Sequence, residues 1–417
     1  MKFNKWTVAL AAVGVVSLAS AAKAEEKAST AVTALTPTSI SGYVDTSAQW
    51  NFGTGNANVA PYKFNSPSKA DGFNLDVVQV RIEKAIAPEE EWGAGYRVDI
   101  WAGPDANTLG TSSTFFSSDF ALRQAYVALR TPLGNGIDWK MGVFDGIIGY
   151  ESVESPLNPN YTRSYGHSIE PQTHTGLLGT YRFNDMISAS AGIANTVGPM
   201  INSRAFAPVQ PSNPYAESYK TYMGSITVTA PDSMGALAGS TLYGGVVNGF
   251  NNSVLGSGLA APSLNGYVGA TVATPVTGLR AGVAWDILAM NTTPSSGFLA
   301  GTKTEGEIWS LALYASYQAT EKMSLHLRGE YVAGDVDSPS GYTRGTIPPG
   351  TLYGDVLENG IYAVTATVQY DLWKNVLSRL EFRWDHAEHG QLFGGATTGL
   401  PDRENAFMLA ANVIYKF

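Results

Sequence analysis

The chain has 417 residues, of which 11% are aromatic and only 15% charged, with 45 glycines, no cysteine and a formal net charge of −9 at pH 7. The acidic balance, with no basic stripe, argues against a nucleic-acid partner, and the missing cysteines exclude a disulfide framework and a lipid-anchored cysteine. Abundant glycine and aromatic rings with few charges fit many short strands and turns, which leaves either several soluble domains or one large barrel.

Met1-Lys2-Phe3-Asn4-Lys5 is a positive start, Trp6 to about Ala19 an apolar run, and Ala22-Lys23-Ala24 a small-x-small cleavage pattern. Residues 1–24 therefore read as a secretory signal peptide, with the mature chain beginning at Glu25. A retained anchor is the rival, but the run is shorter than the roughly 20 residues a spanning helix needs. Residues 25–38, rich in Ala and Thr and containing Pro37, read as a flexible lead-in. No other stretch approaches a transmembrane helix. A membrane-integral form would then have to be a closed barrel, because lipid offers no partner for open backbone groups.

From residue 39 onward the pattern has a period of two. In Ile40–Phe52, Ile40, Val44, Ala48, Trp50 and Phe52 oppose Ser41, Asp45, Ser47, Gln49 and Asn51. Trp92, Ala94, Tyr96, Val98 and Ile100 oppose Arg97 and Asp99; Ile137, Trp139, Met141 and Val143 oppose Asp138 and Lys140. Leu279, Ala281, Val283, Trp285 and Ile287 oppose Arg280 and Asp286; Leu325, Leu327 and Tyr331 oppose His326, Arg328 and Glu330. Leu380, Phe382 and Trp384 oppose Arg379, Glu381, Arg383 and Asp385. The last stretch, Ala406–Phe417, puts Phe407, Leu409, Ala411, Val413, Tyr415 and Phe417 on one face, and ending on an aromatic suits a strand in an interfacial girdle.

Alternation alone does not separate a barrel from a sandwich. The connections do. Further strands near 73–86, 120–130, 175–183, 187–194, 221–230, 240–248, 266–274, 307–318 and 360–370 bring the total to sixteen, joined alternately by short and long links. Short links run Ala87–Glu91, Thr131–Gly136, Asn184–Met186, Pro231–Gly239, Pro275–Gly278, Ala319–Lys322 and Asp371–Val376. Long ones run Gly53–Gly72, Gly103–Asp119, Asp145–His174, Asn195–Lys220, Gly249–Asn265, Ala289–Gly306, Gly334–Asn359 and Ala387–Asn405. Outer-membrane barrels have this asymmetry and an even strand number. Trp92, Phe183, Tyr370, Tyr415 and Phe417 fall at the short-link end, and Trp50, Phe52, Trp384 and Tyr331 at the long-link end, as two aromatic girdles require. Residues 120–130 alternate badly and 240–248 are glycine-rich, so fourteen to eighteen strands stay open. The fold expected is an all-β, transmembrane, antiparallel up-and-down β-barrel of about sixteen strands over residues 39–417.

Gly42-Tyr43-Val44-Asp45 with Trp50-Asn51-Phe52, Gly142 with Gly149-Tyr150-Glu151, Ser155-Pro156-Leu157-Asn158-Pro159-Asn160-Tyr161-Thr162-Arg163-Ser164, and Pro171 with His174-Thr175-Gly176 resemble the OmpL-like β-barrel porin family. The match is strongest from about Ser39 to Phe183, and the later half fits by general pattern. The resemblance implies an outer-membrane barrel of a Gram-negative-type cell and carries no catalytic motif. In sixteen-stranded general porins the third outer loop narrows the lumen; by that analogy Tyr150, Glu151, Glu154, Tyr161, Arg163 and Tyr165 lie near a constriction. The other placement, an outer loop packed on its own prolines, stays open.

Inside a barrel the wet-face charges Arg97, Asp99, Asp138, Lys140, Arg280, Asp286, Arg328, Glu330, Arg379, Glu381 and Arg383 line the pore, and mixed signs suit passive diffusion of small polar solutes or ions. On a soluble sheet the same charges would simply be solvated. The remaining alternatives are a closed barrel serving as a surface platform or adhesin, and a hydrolase at the rim using His167 or His174. A metal at His386 and His389 is disfavoured without cysteine or helical spacing. The expected partners are outer-membrane lipid and small solutes, with no cofactor and a homotrimer by analogy with general porins.

Overall fold

The structure is a computed structural model that describes residues 30–31, 38–53, 57–87, 91–111, 118–205, 219–252, 260–292, 304–337 and 359–417. The signal-peptide stretch 1–24 and most of the lead-in lie outside the described residues. Sixteen strands follow in order: β1 Thr38–Phe52, β2 Gly72–Lys84, β3 Gly93–Ala102, β4 Phe120–Thr131, β5 Ile137–Asp145, β6 Thr173–Arg182, β7 Ile187–Ala194 and β8 Thr221–Thr229 in the first half. The second half is β9 Thr241–Asn252, β10 Ala260–Ala273, β11 Leu279–Thr292, β12 Thr304–Gln318, β13 Met323–Asp337, β14 Ile361–Trp373, β15 Val376–Ala387 and β16 Asn405–Lys416.

Each strand pairs antiparallel with its neighbours in sequence, and β16 returns to β1 from Phe407↔Phe52 to Lys416↔Tyr43, so the sheet closes into an up-and-down barrel. Closure leaves no open edge for lipid to strand. At the seam, Phe417 and Gly42 exchange backbone hydrogen bonds of 2.9 and 3.0 Å. A side chain at Gly42 would meet the Phe417 ring at 2.7 Å, so the close approach demands glycine. A two-residue segment, Thr30–Ala31, pairs beside the start of β1.

The faces sort as the period of two predicts. Asp45, Ser47 and Gln49 of β1 are buried in the interior, while Trp50 and Phe52 are exposed on the outside. Trp285 and Phe382 also lie exposed on the outer surface rather than meeting in a dry middle between two sheets. Such a face belongs to hydrocarbon, where a lysine or arginine at mid-depth costs about 2–4 kcal/mol. The poor alternation of 120–130 has a local cause. Between β3 and β4 the register shifts, with Asp99 opposite Gln124 and Ile100 opposite Leu122. Arg123 is the extra residue of this bulge, so Arg123 and Gln124, adjacent in sequence, are both buried on the inner side. β2 does the same opposite Asp45 and Thr46, burying Asp76 and Val77 together.

The long links gather at one end. Among the described residues, loop 1 (57–71), the Pro104–Leu109 turn of loop 2, loop 3 (146–172) and loop 8 (388–404) pack into the barrel mouth. Asn58 of loop 1 and Gly394 of loop 8 exchange backbone hydrogen bonds of 3.0 and 3.1 Å. Tyr62, Tyr165, Ile169 and Phe393 from these loops form one apolar cluster with Leu288, Ile308, Val332 and Ile361 of the wall.

Candidate functional site

Loop 3 leaves β5, crosses the lumen and docks on the opposite wall before returning as β6. Its course is set by side chains rather than by its own secondary structure, which is limited to two short turns: a 3-10 turn at Ser155–Leu157 and α1, Tyr165–Ile169. Ser164 caps α1 by accepting from the His167 amide. At its first bend, Tyr150 stacks on Tyr314 of β12 with ring centroids 4.1 Å apart. Tyr150 reaches the wall because β11 carries no side chain at Gly282: a Cβ there would lie 2.0 Å from the Tyr150 hydroxyl.

On the near wall Glu154 enters a group of three arginines. It accepts from Arg81, from Arg97 at 3.2 Å and from Arg123 at 3.0 Å, and Asp99 binds the same three at 3.0, 2.7 and 2.9 Å. Burial opposes the charge on Glu154, but Arg81, Arg123 and Arg97 outweigh it and hold its carboxyl down at about 2. Loop 3 is therefore tied to β2–β4 by a carboxylate that stays charged at any ordinary pH.

On the far wall the loop backbone itself is the partner. Arg328 of β13 donates to Glu151 at 2.8 Å and to the Thr162 carbonyl at 2.9 Å. Arg383 of β15 donates to the Arg163 carbonyl at 2.9 Å and pairs with Asp385 at 2.8 Å and Glu330 at 3.2 Å. Its guanidinium lies between the rings of Tyr62 and Tyr165, 4.1 and 5.0 Å from their centroids. Arg379 donates to the carbonyls of Asn158 and Ser155. Glu381 accepts the amides of Tyr161 and Thr162 at 2.6 and 2.9 Å, and Glu330 accepts that of Tyr165 at 2.7 Å. These bonds satisfy backbone groups that a loop inside a barrel would otherwise leave orphaned.

The residues expected along the pore thus divide. Arg328, Glu330, Arg379, Glu381 and Arg383 are enclosed beneath loop 3, and Asp286 is enclosed against α1, where a Cβ on Gly166 would come within 2.3 Å of its carboxylate. Asp99 is enclosed by its arginines, while Arg97 keeps partial solvent contact. Lys140 is half-buried over the Tyr126 ring at 5.1 Å, Arg280 is half-buried near the short-link end, and Asp138 pairs with Arg130 at 2.7 Å. Of the loop residues, Tyr150, Glu151, Glu154, Arg163 and Tyr165 are buried inside the barrel, and Tyr161 bonds Ser47 of β1 at 2.9 Å through its hydroxyl.

A period of two does not reveal Arg123, because its bulge breaks the alternation that would have pointed to it. The His167 and His174 rings pack on Phe64 and Phe144 rather than against a serine hydroxyl. His386 lies 3.0 Å from the Asn405 side chain, and among the described residues no group of three acidic or histidine side chains is placed to hold a metal.

No curated protein sequence matches the chain. Solved structures share its fold. The anion-selective porin from Comamonas acidovorans aligns at a TM-score of 0.56 and 11% identity, over 91% of this chain and 99% of that one. The outer membrane channel DcaP of Acinetobacter baumannii aligns at 0.56 and 10%, over 91% and 97%. In-vitro folded OmpT of Vibrio cholerae, in its trimer form, aligns at 0.52 and 11%, over 91% and 99%. The family model described as "Putative beta-barrel porin-2, OmpL-like" matches residues 37–417, and the chain belongs to that family of outer-membrane β-barrels.

Proposed function

We propose that the barrel is a passive diffusion channel of the Gram-negative outer membrane for small hydrophilic solutes or ions. The observation that carries this is the near wall of the lumen. Beside loop 3, the side chains of Arg81, Arg97 and Asp145 keep 20%, 14% and 25% exposure, and Lys140 stands half-buried next to them. Charges that remain wet where a loop crosses a barrel form a selective eyelet, whose preference follows bore and ring charge. Purified protein in planar bilayers should give stepwise conductance. Sealed bilayers after confirmed insertion would reject the proposal.

A second reading has its own support. The apolar cluster that joins Tyr62, Tyr165 and Phe393 to the wall favours a closed barrel used as a surface platform. Liposomes carrying the protein should swell in small sugars if it conducts, and stay unchanged if it is plugged. Two further proposals accompany the channel. Export removes residues 1–24, which N-terminal sequencing of the membrane-inserted protein checks. The barrel assembles as a homotrimer, as OmpT of Vibrio cholerae does in its trimer form; cross-linking in native membranes should yield a three-chain band.

A further inference from the structure

Between loops 1 and 3 lies a cleft of about 290 Å³, counting its open mouth, lined among others by Tyr62, Lys63, Phe64, Lys69, Asp105 and Arg163. Its cations are not equally served. Lys69 is paired with Asp76 at 2.6 Å and Asp105 at 2.7 Å. Arg163 meets only neutral groups: the carbonyls of Tyr161 at 3.0 Å and Val153 at 2.9 Å, and the Ser155 hydroxyl at 3.3 Å. Its Nε is buried without a partner, on a side chain only 3% exposed. Among the described residues the Lys63 ammonium has no ion pair or hydrogen bond; its contact is the Phe64 ring, 6.0 Å away. The Arg163 guanidinium lies 5.7 Å from the same ring. Phe64 itself has φ +68°, a conformation that a bulky residue adopts only when its surroundings impose it.

Two cations with no direct ion pair therefore face one aromatic ring at the edge of a solvent-connected cleft, where the Asp105 carboxylate is already bonded to Lys69. Burying an unpaired charge is costly, and cation–π contact compensates only in part. An anion would complete the site, and the rings of Phe64 and Tyr62 offer its remainder an apolar wall. The enclosed end admits little more than one small polar group, which rules out bulky acids.

We propose that this cleft binds a short-chain monocarboxylate, with the carboxylate between Lys63 and Arg163 and the alkyl tail along Phe64 and Tyr62. Its meaning as a way-station for permeating organic acids rests on the channel function, but the binding does not. The test is calorimetric titration of the detergent-solubilised full barrel with butyrate, and with butylamine as a cation of similar size. Butyrate should bind and butylamine should not. Lys63→Gln should weaken butyrate roughly tenfold, the effect of one lost charge-assisted contact, while Lys63→Arg retains it. Heat-shifted gel mobility confirms that each variant is folded. Absence of butyrate binding by the unaltered protein, or equal affinity in Lys63→Gln, would overturn the proposal whether or not the barrel conducts. Raising chloride separates the sources of negative charge: competition that leaves butyrate measurable supports a carboxylate site, whereas a chloride response with no butyrate binding overturns it. In planar bilayers, butyrate should add brief closures to an open channel; a silent bilayer speaks only against conduction.

Discussion

The two sides of loop 3 carry the same residue types to different ends. On the near side, Arg81 and Arg97 grip Glu154 and Asp99 yet keep contact with solvent. On the far side, Arg328 and Arg383 are fully enclosed, with loop carbonyls and buried carboxylates filling their bonding capacity. Sequence position is equivalent in both cases: an arginine at an inward site of a regular strand. What differs is where the loop lands. An inward charge on a barrel wall is pore lining or internal scaffold according to what covers it, and its strand pattern cannot say which.

The contrast can be broken most forcefully on the enclosed side. Arg328→Ala leaves Glu151 without its cation and Glu330 with Arg383 alone, and losing one partner of a buried pair costs about 3–5 kcal/mol. The variant should unfold at lower denaturant in detergent by tryptophan fluorescence, and should conduct more if loop 3 swings free. Unchanged stability would mean that the far-wall contacts do not hold the loop.

Next in size is Glu154→Gln on the wet side. It removes one of the two carboxylates shared by Arg81, Arg97 and Arg123 and leaves the solvent-facing side of loop 3 more positive. Reversal potentials under a potassium chloride gradient should move toward the chloride equilibrium value, with anion preference rising roughly tenfold at low salt. Because the Glu154 carboxyl is held down at about 2, mild acidification should not reproduce the loss of this charge in the unaltered barrel.

Lys63 sharpens the comparison, since it lies above the enclosed region and is itself unpaired. Burial lowers its ammonium to about 8. The Arg163 guanidinium stands nearby, and burial, then Arg163 and Lys63, push His167 well below the usual range. Between pH 7 and 9 the protonated fraction of Lys63 falls about tenfold. Butyrate affinity should fall over that interval and remain flat in Lys63→Arg.

The smallest effect concerns the foot of loop 3. Burial, and then the adjacent Asp286 and Glu151, raise the Glu170 carboxyl well above the ordinary range, and it shares a hydrogen bond with Asp286. A raised carboxyl favours the folded state fully below its ordinary titration range, and that contribution is lost as pH rises through the raised value. Amide exchange at 165–170 should therefore accelerate with pH beyond its intrinsic rate, and Glu170→Gln should remove the excess.

Much of the fold was legible along the chain. All sixteen strands form in the expected order, but Gly249–Asn265, expected as a long link, is strand at both ends, where Thr241–Asn252 and Ala260–Ala273 run past the expected bounds. The worst-patterned segment was informative in a way its propensity concealed: Arg123 and Gln124 break the alternation because a bulge turns both inward, and they sit in the arginine group. Loop 1 gave no comparable sign. Tyr62, Lys63 and Phe64 belong to no repeating pattern, and nothing local indicates that this loop packs against Arg383 and Arg163.

The sequence by itself determined the barrel, a strand number near sixteen and the inward or outward sense of nearly every wall residue, because these follow from a period of two and from connection length, both properties of neighbours in the chain. Tertiary structure alone decided which inward charges stay wet. Arg328 meets Thr162 across 166 residues and Arg383 meets Arg163 across 220. Partnerships at that separation depend on the path of a loop with little secondary structure, which is set by the groups on the far wall that satisfy its backbone.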